Sequence, residues 1–223
     1  MLKEDEAFVL FVRPQGESSL WLSVFTEQHG RVSMQYKGGQ KHAASCVPFQ
    51  PYHLNWQLAR AGLPWLRAIE SVSFYPRLTG IANWSGLYLN QLCQSALQDM
   101  QAYPDLFRRY RDCVTYLSRA DAEATMMAIC LRRFEWHLLQ QLGYGFPDED
   151  CHGQRLNIHT HYQWLSDGWQ PIEKGILGSE LVALLTDEPL THSSPGLRQL
   201  LQWRLSQVMP AQAMLMRQWW EEK

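Results

Sequence analysis

Cations alternate with flat aromatic rings near the start of this chain: Arg13, Arg31, Lys37 and Lys41 stand among Trp21, Tyr36 and Tyr52. A single nucleic-acid strand needs both, charges for its phosphates and π faces for its unstacked bases. Tyr36, directly before Lys37, is the ring best placed for stacking, whereas Trp21 and Phe49 read as core. A second group, Cys151, His152, His159 and His161, offers the thiolate and imidazole that zinc prefers. It is one short cluster, however, where a structural site draws on two separated pairs, so a polar loop is expected and no metal. GGQKH at 38–42 lacks the glycine spacing and the Lys-Ser/Thr ending of a phosphate cradle. With no nucleophile elbow either, no catalytic residue, enzyme activity or cofactor is expected.

Arg132 and Arg133 form a third group. Leu131 and Phe134 on either side would pin their helix to a core and fix where the guanidinium points. A rigid guanidinium beside apolar surface suits a carboxylate that carries an aromatic or aliphatic side chain. The remaining arginines of this region, such as Arg119, stand among acidic residues and read as a solvated helix face.

These residues require elements to hold them. Between 7 and 73, AFVLFVR, SSLWLSVFT, GRVSMQY, FQPYHLNWQL and PWLRAIESVSF read as five short strands, the second and third joined by a turn ending in Gly30. Five strands in so short a span imply a small barrel, of which the oligonucleotide-binding (OB) fold is one kind. From Ile81 the apolar spacing changes to three and four: IANWSGLYLNQLCQSALQDM, DLFRRYRDCVTYLSR and AEATMMAICLRRFEWHLLQQLGYG are helices. Residues 147–177 have no clear period and read as a loop region or irregular ribbon. GSELVALLTD, PGLRQLLQWRLSQVM and the tail AQAMLMRQWWEEK read as helical again. The fold class is therefore α+β, a barrel over 1–78 followed by an all-helical domain over 79–223.

Composition bounds the function. With 223 residues, 46% of them hydrophobic, the chain can bury a core, and its five scattered cysteines fit no disulfide framework. The start has an acidic cluster and a short apolar run ended by Arg13-Pro14, so neither signal peptide nor membrane span fits and the cytoplasm is expected. A net charge of −2 argues against a strong general nucleic-acid binder. Beyond the acidic tip Glu4-Asp5-Glu6, though, the first segment is mildly basic.

AFVLFVRPQGESSLWLSVFTEQHGRVSMQYKGG resembles the opening of RecO proteins, with their Arg-Pro turn, Phe-Thr-x-x-x-Gly-Arg hairpin and Lys-Gly loop. FQPYHLNWQL, SGLYLNQL and LRRFEWHLLQQLGYG are similar to further motifs of that family. The resemblance covers roughly residues 7–146. It implies an N-terminal OB barrel, annealing of single-stranded DNA, loading of recombinase with RecR, and docking on the acidic, Phe-ended tail of the single-strand-binding protein. Carried over by position, Arg31, Lys37 and Lys41 match the family's basic hairpin and Lys-Gly loop and, with Arg13 and Tyr36 from the reading of the residues, would meet DNA. Arg132 would anchor the tail's carboxylate from an exposed position, with Arg133 or Arg119 facing its acidic residues. The loop GQKHAASC is poorer in basic residues than the family's, and QVMPAQAMLMRQWW lacks its basic C-terminal segment. An adaptor that docks on protein partners and scarcely touches DNA is the competing reading; a metal-dependent enzyme built on the Cys/His loop is the third.

Overall fold

The computed structural model describes residues 2–166 and 168–209, which form two compact units dividing between Ala122 and Glu123. In the first, β1 (Leu2–Gln15) is long enough to serve two neighbours. Its first half runs antiparallel to β4 (Pro51–Gln57), and from Ala7 onward it pairs with β2 (Ser19–Thr26). β2 pairs with β3 (Gly30–Tyr36), and β5 (Trp65–Ser71) pairs with β4 and meets β3 in parallel at Gln35 and Trp65. The strands thus close in the order β1-β2-β3-β5-β4, an OB barrel as expected. Burial alternates along β3 and β4, which places Val32, Met34, Leu54 and Trp56 inside with Leu22 and Val24 of β2.

β1 begins earlier than its apolar residues indicate. Glu4, Asp5 and Glu6 are strand residues, and of the three only Asp5 is buried. Its carboxylate accepts hydrogen bonds from the Gln28 backbone N–H at 3.0 Å and from His29 Nδ1 at 2.5 Å, which fastens the β2–β3 turn. Gly30 completes that turn with φ +66, and a Cβ there would lie 1.6 Å from the Gln101 carbonyl oxygen. Only glycine satisfies both the left-handed backbone and this close approach.

Two helices, α1 (Gly80–Ala96) and α2 (Pro104–Leu117), belong to the same unit as the barrel. β2 departs from alternation because of them: Phe25 points away from the interior, yet it is fully buried. It stands opposite Phe8 of β1, and both rings pack on Phe107 and Tyr110 at centroid separations of 5.1 to 5.8 Å.

In the second unit α3 (Ala124–Gln141), α4 (Gly178–Leu185) and α5 (Pro195–Val208) are helical. The stretch expected to be irregular instead holds a three-stranded antiparallel sheet of β6 (His161–Leu165), β7 (Gly168–Ile172) and β8 (Ile176–Leu177), so the second part is not wholly helical. Strands of two to five residues are too short to display a period, and what stabilises them lies elsewhere in the chain. Trp164 and Trp169 join Phe146, which in turn stacks on Trp136 of α3, with centroids 5.0 to 5.3 Å apart. The expected tail helix over 211–223 lies outside the described residues. No described helix is long and apolar enough to cross a membrane.

The cysteines give a direct check on burial. Cys46 is buried and its thiol is pushed up to about 11 by desolvation, Cys93 is wholly buried and raised further, and Cys151 is exposed. Thiolate is the reactive form. In the native protein an aromatic disulfide reagent at pH 8 should therefore modify Cys151 rapidly, while Cys46 and Cys93 react only after denaturation. Fast reaction of Cys46 in the native state would contradict this packing.

Candidate functional site

Strand register assembles a row of outward-facing side chains across the barrel. Arg13 of β1 is paired with Trp21 of β2, Trp21 with Gln35 of β3, and Gln35 with Trp65 of β5. None of these side chains is buried, and each ring carries a cation. The Arg13 guanidinium carbon is 4.8 Å from the centre of Trp21, Lys37 Nζ is 3.7 Å from the centre of Trp65, and Arg67 approaches Trp65 at 5.6 Å. Arg67 also donates to Gln57 Oε1 at 2.8 Å, and the exposed Phe11 meets Trp21 edge-on. Neither Arg13, Lys37 nor Lys41 makes an ion pair among the described residues, so their charges face solvent. Such a row combines fixed positive charge with π surface, and cation–π contacts hold the side chains in place before any ligand arrives.

The structure redistributes several of the residues read from the sequence. Trp21 is not core; it lies half-buried on the outer face. Tyr52 is core, its hydroxyl donating to the Val47 carbonyl at 3.1 Å and accepting from the Val47 N–H, and burial pushes it up to about 12. Tyr36 falls in the inward set, packed against the core and stacked on His42; desolvation raises its pKa, with a smaller contribution from Cys46. The stacking ring beside Lys37 is Trp65, which sequence reasoning missed because its neighbour across the sheet is not near it in the chain. Arg31 faces outward but is covered. Its Nη1 donates to the Gln94 carbonyl at 2.9 Å and its Nη2 pairs with Asp99 at 3.0 Å, so it fastens β3 to the end of α1 and the segment after it. Lys41 is exposed on the 3₁₀ helix Gly39–Ser45.

The arginines expected to grip a peptide tail are not alike. Arg132 is buried, not exposed, because it lies on the face of α3 that also carries Glu135. Its Nη2 meets Glu135 Oε1 at 2.9 Å, and its Nε and Nη1 have no hydrogen-bond partner among the described residues. Arg133 grips the segment after α4, bonding the Asp187 carboxylate and the backbone carbonyls of Asp187 and Glu188. Arg119 is in the first unit, held by both oxygens of Asp121 at 2.9 and 2.8 Å; that hydrogen-bonded pairing raises the arginine's pKa and lowers the aspartate's. Among the described residues no three His, Cys, Asp or Glu side chains converge as a metal site, and the Cys151 thiol points to Gln170 Oε1 at 3.2 Å.

Comparison with known proteins matches residues 1–75 to the family model described as Recombination protein O N terminal, and residues 77–192 to Recombination protein O C terminal. The chain belongs to the RecO family. Proteins named DNA repair protein RecO are similar to it: that of Proteus mirabilis (strain HI4320) is 39% identical over 151 residues, covering 66% of this chain and 60% of the relative. That of Erwinia tasmaniensis (strain DSM 17950 / CFBP 7177 / CIP 109463 / NCPPB 4357 / Et1/99) is 40% identical over 156 residues, covering 68% and 62%. That of Salmonella paratyphi B (strain ATCC BAA-1250 / SPB7) is 35% identical over 182 residues, covering 79% and 71%. The chain thus spans less than two thirds of the first two relatives.

The RecO-like motif SGLYLNQL has a structural explanation in the first unit. The register of β1 and β2 shifts between Val9 and Phe11, a bulge that leaves the Leu10 carbonyl out of the ladder. Asn90 Nδ2 donates to that carbonyl at 3.0 Å and Asn90 Oδ1 accepts from the Tyr110 hydroxyl at 2.5 Å, so one buried amide ties barrel, α1 and α2 together. At Gly86 a Cβ would come within 2.8 Å of both Leu78 and Phe49, which is why this turn of α1 must be glycine. These RecO-like residues build the scaffold, and the exposed row lies on it.

Proposed function

We propose that this RecO-family chain is a non-catalytic, cytoplasmic DNA-repair mediator that binds and anneals single-stranded DNA and helps to load recombinase together with RecR. The observation that carries the reading is the outward row Arg13, Trp21, Gln35 and Trp65 with Lys37 and Arg67 over its rings. Bases stack on rings whatever their identity, and phosphates follow the cations, so the row suits a single strand without sequence preference. Docking on the acidic, Phe-ended tail of the single-strand-binding protein is assigned to α3. This assignment rests on the family likeness of LRRF; because Arg132 Nε and Nη1 are buried, the tail's carboxylate reaches these unpartnered donors only if neighbouring side chains move aside.

A second reading, an adaptor with little DNA binding, is favoured by one observation. The net charge is −2, and Arg31, Arg119 and Arg133 are all engaged with carboxylates of the chain itself. Charge reversal separates the two. With Lys37→Glu and Lys41→Glu combined, the slope of log affinity against log salt for a single strand should become shallower by roughly 0.7 for every phosphate deprived of its lysine. An unchanged slope and affinity would favour the adaptor.

A further inference from the structure

The second unit carries a groove that has no part in the function proposed for the barrel. It lies between the β6–β7 hairpin and α5, has a volume of about 610 Å³, and is lined by Trp164, Leu165, Gln163, Lys174, Gln199 and Trp203 among others. That volume is in the range of sites for small organic groups, roughly 300–1,000 Å³. Trp203 is 44% exposed and Leu165 46%, although large apolar side chains normally avoid water. Arg204 lies against both indoles, its guanidinium carbon 5.8 Å from the ring centres of Trp164 and Trp203, and its Nε is held by the Tyr144 carbonyl at 3.2 Å.

The polar part of the lining selects among occupants. Gln163 and Gln199 each bring an amide with donors and an acceptor, Lys174 brings a positive charge, and no carboxylate lines the groove among the described residues. An aliphatic peptide side chain would cover the indoles but offers no negative charge to Lys174. A nucleobase offers a flat face to the indoles and donors and acceptors at its edge, and its phosphate complements Lys174.

We propose that this groove is a second binding site for unpaired nucleic-acid bases, with Trp203 as its stacking surface, Gln163 and Gln199 facing base edges and Lys174 at the adjoining phosphate. The proposal rests on the reading of the chain as a single-strand binder. It gives the second unit a nucleic-acid contact of its own, although QVMPAQAMLMRQWW lacks the family's basic C-terminal segment.

The test uses the full chain and a single-stranded oligothymidylate. Trp203→Ala should weaken binding about five- to tenfold, as removal of one base–aromatic stack does. The salt slope should stay that of the parent, because every phosphate keeps its cation. Gln199→Glu, which places a negative charge in the same lining, should weaken binding as well. Ultraviolet cross-linking of an iodouracil-substituted strand to the parent should label peptides within 161–166 or 195–209. If the parent binds the strand, the Lys37→Glu/Lys41→Glu protein binds it less, and Trp203→Ala and Gln199→Glu bind it like the parent without labelling in these peptides, this proposal alone fails. If the parent does not bind the strand, the underlying reading fails and this proposal with it. Loss of an apolar peptide ligand in Trp203→Ala with strand binding intact would make the groove a peptide site and overturn the proposal.

Discussion

Phe25→Ala is expected to lower the free energy of unfolding by about 3–5 kcal/mol, the range for removing a fully buried phenyl ring. Phe25 is 0% exposed although it points out of the barrel, because α2 covers that face with Phe107 and Tyr110. Truncation would leave a cavity bordered by three other rings, Phe8 included, and rigid rings cannot collapse into it. Urea unfolding followed by circular dichroism should show a lower midpoint. Phe11→Ala, at a ring 51% exposed on the same strand as Phe8, serves as the control and should move the midpoint little. Equal midpoints for Phe25→Ala and the parent would mean that α2 does not pack on the barrel as described.

Arg132→Ala is expected to cost on the order of 3 kcal/mol of stability, which reverses what an exposed arginine would imply. The Glu135 side chain is 0% exposed and faces the Arg132 Nη2 at 2.9 Å. Removing the guanidinium leaves the carboxylate buried without this cation, and a charge out of water is costly unless it is compensated. The double change Arg132→Met with Glu135→Leu removes both charges at similar volume and should recover most of the stability, because replacing a buried pair with apolar residues is often close to neutral. Thermal or urea unfolding of the two variants decides the matter. If the single change is harmless, or the double change is as damaging as the single, the pair is not the buried contact described. The result also bears on tail docking: a weakened interaction in Arg132→Ala is informative only when the variant is shown to be folded.

How far the sequence could be read depended on whether the deciding partner lay nearby in the chain. Alternation in GRVSMQY and PYHLNWQ was visible, and these are β3 and β4 with one face inside. The helical spacing from Ile81 was visible too, and α1, α2 and α3 occupy it. Asp5 was not readable as core, because a carboxylate among two others looks solvated until the β2–β3 turn supplies its donors. Arg31 looked like a free cation until Gln94 and Asp99 came against it. Lys37 was identified from its neighbours in sequence, but the ring it contacts, Trp65, is reached only through the parallel pairing of β3 and β5. Arg13, Lys37 and Lys41 remain the cations that sequence and geometry both leave facing solvent.

A salt titration of single-strand binding by the unaltered chain tests the central claim most directly. If the outer row of the barrel holds a strand through Arg13, Lys37 and Arg67, log affinity should fall linearly with log salt, with a slope of about −2 or steeper, roughly 0.7 for each phosphate neutralised. Binding should also quench tryptophan fluorescence, because Trp21 and Trp65 lie in that row. Affinity that does not change with salt, or an absence of binding at low salt, would contradict the account.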